Sequence, residues 1–223
     1  MIKLKAEPKN KFTTAAPLVP PQPSIKSLQA AAAGCRACPL WKTGTQTVFG
    51  EGAPDAKVIL VGEVPGNDED LIGRPFVGPA GKLLDKVLVE VGIERDEVYL
   101  TNVVKHFKWE PVGKRRIHKK PSAREIAACR PWLDAEIQVI KPDVIVCLGA
   151  TAAQALLGRD FRVSQHRGEL IPSPLAPSVM ATVHPSSILR APDEKQRHEA
   201  RAQFVEDMNK VAQVIHRRHR ARK

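Results

Sequence analysis

The chain has 223 residues, enough for one domain with a real core plus tails, and a formal net charge of +11 at pH 7. That charge favours a polyanionic partner without proving one, since a merely basic surface carries the same count. Residues 1–11 are mostly polar and no apolar run reaches membrane-spanning length, so neither a signal peptide nor a membrane anchor is expected. The four cysteines are then expected in a reducing, cytoplasmic setting, where metal binding or burial outweighs disulfide formation.

Residues 1–25 are rich in proline and poor in large apolar groups, the composition of a disordered leader. Residues 24–33 read as a short helix capped by Ser24 and stopped by Gly34. An edge strand is expected at residues 47–49. Val58-Ile59-Leu60-Val61 is a short β-branched apolar run, the pattern of a buried strand. A polar loop with Gly62, Gly66, Gly73 and Gly78 follows it, and Leu83, Leu84 and Val87 then mark a helix over residues 81–91. Residues 97–104 form the next strand. The stretch 107–121 is basic and without periodicity, so it reads as a long loop; such loops are functional or disordered.

Residues 122–140 predict a helix opened by the capping box Ser122-x-x-Glu125, with Pro131 inside it as a kink or split. A buried strand at 143–148, a short helix at 150–157 and a last strand at 180–183 come next. A terminal helix over 194–215 trails into a basic tail. Alternating strands and helices predict an α/β fold, a mainly parallel sheet covered by helices on both faces.

Three strand ends converge on one edge of that sheet. They carry Glu63 with Phe76, then Asn102, then His184. A ring, an amide, an imidazole and an acid describe a pocket for a planar heterocycle. An amide donates to a carbonyl oxygen and accepts from the adjacent ring N–H, the pattern of a uracil edge. Each residue alone is more often a cap, a core filler or a turn former.

GEVPGNDED, GRPFVGPAGKLLD, TNVVK and HPSSILR resemble, in order, the motifs of the iron–sulfur uracil-DNA glycosylases of families 4 and 5. The pentapeptide KRRIH, from Lys114 to His118, further resembles the insertion of the UdgX type, whose members become covalently bound to the DNA they process. The resemblance implies a three-layer α/β/α domain over residues 26–216 with a central four-stranded sheet. Residues 107–121 would be its basic insertion loop and 217–223 a basic tail. It implies a monomeric bacterial protein, nucleoid-associated through DNA, that excises uracil from DNA with single strands favoured.

The implied roles fall on particular residues. Phe76 would stack on the flipped base, Gly62 would belong to the same substrate-binding set, and Asn102 would read the base's edge. His184 would stabilise the uracil oxygen on which charge develops, and Glu63 the cationic sugar. Arg190 would lie near the DNA backbone, and Arg116 would position the insertion. His118 would capture the sugar through a neutral imidazole nitrogen; the bland alternative is one more polar residue gripping phosphates. UdgX-type proteins usually carry Gln where this chain has Val64, which offers no amide to the reacting centre. An ordinary multi-turnover glycosylase and a non-catalytic binder of uracil or abasic DNA are the rival readings.

Cys35-x-x-Cys38 is a metal-type pair, and Cys129 is a third candidate ligand. The iron–sulfur glycosylases place a cysteine directly after their NVVK strand, where this chain has His106. The expected set is therefore Cys35, Cys38, His106 and Cys129 around a [4Fe–4S] cluster. Cys147 is the alternative fourth ligand, although its apolar surroundings suit a core residue. Zinc would accept the same donors.

Overall fold

The computed structural model describes residues 13–221. Residues 1–12 of the expected leader and the last two residues of the tail lie outside them. Ser24 caps the first helix, α1 (Ile25–Ala32): its hydroxyl accepts from the Ser27 N–H, and Ser27 returns a bond to the Ser24 N–H. The segment before the helix is docked. Thr13 N–H donates to the Ala37 carbonyl at 3.1 Å, Ala15 N–H donates to the Ala128 carbonyl at 2.9 Å, and Ala15 is fully buried. The expected disordered leader is thereby corrected for residues 13–24. Proline removes periodicity, yet the remaining N–H groups still find partners.

The first strand is β1 (Glu51–Gly52), starting four residues later than expected; at the expected place Val48 N–H donates to the Lys105 carbonyl outside any strand. Then comes β2 (Val58–Gly62), buried throughout as its uninterrupted apolar run requires. The polar loop after it holds an unexpected helix, α2 (Asn67–Ile72), closed by Gly73 at φ 82°. The next elements are α3 (Pro79–Glu90) and β3 (Val98–Asn102).

The expected long loop is instead a hairpin, β4 (Trp109–Val112) and β5 (Arg115–His118), turning at Gly113 with φ 57°. Its four pairs, Trp109 with His118 through Val112 with Arg115, form an isolated two-stranded sheet. Helix α4 (Ala123–Ile140) opens on the Ser122 capping box and runs unbroken past Pro131. The chain continues through β6 (Val144–Leu148), α5 (Ala150–Leu157), α6 (Val163–His166), β7 (Leu170–Ser173), β8 (Ala176–Thr182), α7 (Pro185–Leu189) and α8 (Glu194–Ala221). The last helix carries on through most of the expected basic tail.

The main sheet has six strands in the order β1-β3-β2-β6-β8-β7 rather than the four expected. Its central four are parallel, and β1 and β7 are antiparallel additions at the two edges. Both added strands are short and half-exposed, so their apolar signal is weak. One face of the sheet (Ile59, Val61, Tyr99, Ile145) packs against Leu28 of α1 and Trp132 of α4. The other face (Val58, Leu60, Leu100, Val146) packs against Leu84 of α3 and Phe204 of α8. This is the three-layer α/β/α arrangement. After β2 the chain moves to β3 on one side, then crosses to β6 on the other. The crevice between the β2 and β6 ends is therefore the topological switch point, where open α/β sheets bind ligands. Among the described residues no helix is long and apolar enough to cross a membrane.

Candidate active site

A cleft of about 1320 Å³ opens at that switch point. Glu63, Phe76, Asn102, His118, His184 and Arg190 all line it, so the structure brings together the groups expected to act on the base and sugar. Glu63, directly after β2, has its Oε2 bonded by the Thr151 hydroxyl from the start of α5. Its Oε1 then lies 3.9 Å from Nε2 of His118. Thr151 thus fixes which oxygen faces the histidine, and nothing in the sequence around it announced that role.

The floor of the cleft is built by close approach. Gly62 pairs with Asn102 across the β2–β3 ladder. A Cβ on Gly62 would stand 2.3 Å from the Asn102 Oδ1 and 2.8 Å from the Phe76 ring, so only glycine lets the amide and the ring meet there. Phe76 itself holds a left-handed backbone, φ 56°. Its carbonyl oxygen would lie 1.7 Å from any Cβ on Gly81, which explains that second glycine at the start of α3. A non-glycine residue at positive φ costs of order 1–3 kcal/mol and persists where the surroundings over-determine it, as at binding sites. The buried Asn102 amide makes no hydrogen bond to any other described residue, so its donor and acceptor stay available to a ligand edge.

His184 faces the Phe76 ring, centroids 6.1 Å apart and planes 25° from parallel. Its Nδ1 accepts from the Ser186 backbone N–H at 3.1 Å, so the neutral ring carries its proton on Nε2. Burial first, then the charges of Arg190 and His118, pull its pKa down to about 4. The residue is accordingly a neutral N–H donor at neutral pH, suited to an oxygen gaining negative charge. His118 is about half exposed, and its pKa is lowered by burial and Arg190 against the pull of Glu63. Its imidazole is therefore neutral and available as a base or nucleophile. Arg190 stands exposed at the cleft mouth. Val64 is buried and lines the cleft beside Glu63.

The hairpin that carries His118 is latched from below. Arg116 donates from Nη1 to Asp70 Oδ2 at 2.7 Å and from Nε to Asn67 Oδ1 at 2.9 Å. Asp70, fully buried on α2, also accepts from the Thr45 N–H and hydroxyl. The buried Phe107 ring lies between the Arg116 guanidinium, 5.3 Å away, and the His118 ring, 6.3 Å away. Three cations of the basic insertion are thus engaged within the protein, Lys108 with Glu125, Arg116 with Asp70 and Lys119 with Glu110. Lys120 lines the cleft.

Cys35, Cys38 and Cys129 are buried together in one core cluster. Burial pushes the Cys129 thiol up to about 12, Lys105 opposes the shift, and Cys38 and Cys35 add to it. N–H donors point at the sulfurs: the Lys105 backbone to Cys129 Sγ at 3.3 Å and the Trp132 indole to Cys35 Sγ at 3.4 Å. Among the described residues no three Cys, His, Asp or Glu groups stand in ligating arrangement about one point. The donor chemistry nonetheless suits a thiolate-ligated group, because N–H···S bonds stabilise thiolates and a metal replaces the thiol protons. His106 is buried, its pKa drawn to about 4 by burial against the pull of Asp70. Its Nε2 meets the Thr47 hydroxyl at 3.1 Å, and that hydroxyl donates to the Ala32 carbonyl at 3.0 Å. Nε2 therefore carries the proton and Nδ1 the free lone pair. The Cys147 thiol is raised by burial alone, with no contribution from the other three cysteines.

Residues 49–209 match the family described as the uracil DNA glycosylase superfamily. A Type-4 uracil-DNA glycosylase of Thermotoga maritima is 42% identical over 182 residues, 81% of this chain and 89% of that protein. A Type-4 uracil-DNA glycosylase of Archaeoglobus fulgidus is 39% identical over 173 residues, 74% of this chain and 83% of that protein. Another, of Sulfurisphaera tokodaii, is 36% identical over 206 residues, 86% of this chain and 84% of that protein.

Proposed function

The chain belongs to the uracil DNA glycosylase superfamily, and from that premise we propose that it excises uracil from DNA and then traps itself on the abasic sugar through His118. Uracil excision follows from the family and from a cleft that gathers Glu63, Phe76, Asn102 and His184. A base flipped from the strand stacks on Phe76 and offers its edge to the Asn102 amide; single-stranded DNA is favoured because no pair has to open. The C1′–N bond breaks with its electrons going to uracil. The His184 Nε2–H stabilises the oxygen that receives the charge, and the Glu63 carboxylate stabilises the oxocarbenium left on the sugar.

The observation that carries the capture step is the 3.9 Å between His118 Nε2 and the Glu63 carboxylate. A group that close to the anion opposite C1′ lies beside C1′ as well. The Nε2 lone pair forms the new C1′–N bond, and Nδ1 then sheds its proton to solvent. A second reading, multi-turnover release of an abasic site, is favoured by the 36–42% identity to Type-4 enzymes and by the apolar Val64. Incubation with a uracil oligonucleotide followed by a denaturing gel separates the readings. A shifted protein band supports trapping, abasic product without a shift supports turnover, and intact uracil removes both.

For the cysteine site we propose a [4Fe–4S] cluster held by Cys35, Cys38, Cys129 and Nδ1 of His106. When bound, such a group supplies a covalent tie between the CRAC segment, the end of β3 and α4, with electron-transfer capacity that excision does not call on. The purified protein is then brown. Cys129→Ala bleaches it and Cys147→Ala does not; bleaching by the second change would overturn the ligand set, and a colourless protein with stoichiometric zinc would overturn the cluster.

A further inference from the structure

Lys105 is a buried charge beside the pocket to which the chemistry above assigns nothing. Its ammonium lies 2.6 Å from Glu136 Oε2, and the two side chains are 1% and 0% exposed. It also donates to the Thr101 hydroxyl at 2.5 Å and to the Asn102 carbonyl at 2.9 Å. Glu136, on α4, is completed by the Tyr99 and Thr101 hydroxyls, each at 3.0 Å from its Oε1. The backbone N–H of the same lysine donates to Cys129 Sγ. Lys105 thus touches the end of β3, the helix α4 and a cysteine of the expected metal site.

A buried pair of this kind is a weak source of stability, because desolvating both ions offsets most of their attraction. Geometry is what it can specify here. The ammonium grips the backbone carbonyl of Asn102, whose side-chain amide is free to read a ligand edge. On the far side Gly62 leaves no slack, since even a Cβ there would sit 2.3 Å from the Asn102 Oδ1. A shift of the β3 end by a few tenths of an ångström therefore drives the amide into its neighbours or out of reach of the base.

We infer that Lys105 is a positioning residue for base recognition, holding Asn102 in register through its carbonyl and coupling that register to α4 and to Cys129. The inference rests on Asn102 being the residue that reads uracil. Glu136 serves the charge of Lys105 and the Tyr99 hydroxyl, and stands one step further from the base.

The test compares Lys105→Met, Glu136→Gln and the double variant in the full chain, reading Tm, the dissociation constant for free uracil and single-turnover excision from uracil and cytosine oligonucleotides. Glu136→Gln lowers Tm and leaves uracil affinity within about twofold. Lys105→Met weakens uracil binding about tenfold or more, the scale of one lost charge-assisted hydrogen bond. The double variant regains Tm, having no unpaired buried charge, and does not regain uracil affinity. Affinity that simply tracks Tm across the three, or a double variant that binds uracil normally, overturns the inference. Should the Lys105 variants not fold, Thr101→Val strips one acceptor from the ammonium, and unchanged uracil affinity at lowered Tm overturns it equally. A native protein that neither binds nor excises uracil would instead overturn the role of Asn102, before any variant is compared.

Discussion

The two halves of the candidate site are built in different ways. The base pocket stands on the ends of parallel strands buried on both faces, and its parts interlock: Gly62 with Asn102, Phe76 over Gly81, His184 held by Ser186. The hairpin carrying His118 forms a separate two-stranded sheet, mostly exposed, and one buried ion pair to α2 is its main tie. On the proposed reading, recognition is thus part of the core, while capture is an attachment to it. A protein divided in this way can lose the second function and keep the first.

His118→Ala puts that division to its strongest test. The adduct disappears entirely, while uracil is still released because Glu63, Phe76, Asn102 and His184 are untouched. A denaturing gel with an abasic-site cleavage step reads both products. A full-strength adduct in this variant would place the nucleophile elsewhere.

Arg116→Ala attacks the attachment rather than the nucleophile. It removes a charged bond to the buried Asp70. Such bonds contribute about 1.5–3 kcal/mol, so adduct formation slows roughly tenfold to a hundredfold while excision slows far less. Equal slowing of the two steps, measured by rapid quench, would mean that the hairpin also builds the base pocket.

Asn102→Asp works on the other half. A carboxylate cannot donate to the uracil carbonyl, and an unpaired polar edge in a dry pocket costs roughly 1–3 kcal/mol. Excision falls by that factor and the adduct falls with it, since capture needs the sugar cation that excision makes. Unchanged uracil excision would remove Asn102 from the pocket.

The smallest effect is in pH. Burial lowers the pKa of His118 and outweighs the attraction of Glu63, so the neutral nucleophile persists below the ordinary histidine value of about 6.5. Adduct yield holds from neutral pH down past that value and falls only at more acid pH, where the abasic product takes its place. A midpoint at or above about 6.5 would show that Glu63 dominates instead.

Much of the core and of the base pocket is legible in the amino-acid sequence. The uninterrupted apolar runs can only be buried strands, the capping residues Ser24 and Ser122 set two helix starts, and strand ends followed by glycines locate the crevice. Glu63, Asn102 and His184 lie at or just past those ends and are visible for that reason, while Phe76 lies further on, between α2 and α3. The hairpin is not legible. Its strands are four residues each, largely exposed, and their basic residues give no alternation of apolar with polar.

The sequence by itself thus determined the parallel α/β core and the edge on which the site lies, because burial patterns and caps act over a few neighbouring residues. Only the tertiary structure decided which polar groups meet. Lys105 finds Glu136 at a separation of 31 residues, Arg116 finds Asp70 at 46, and Thr151 finds Glu63 at 88. A carboxylate or an ammonium carries no local mark of its partner, since what pairs them is the dry space between packed layers, and that space exists only once the layers have closed.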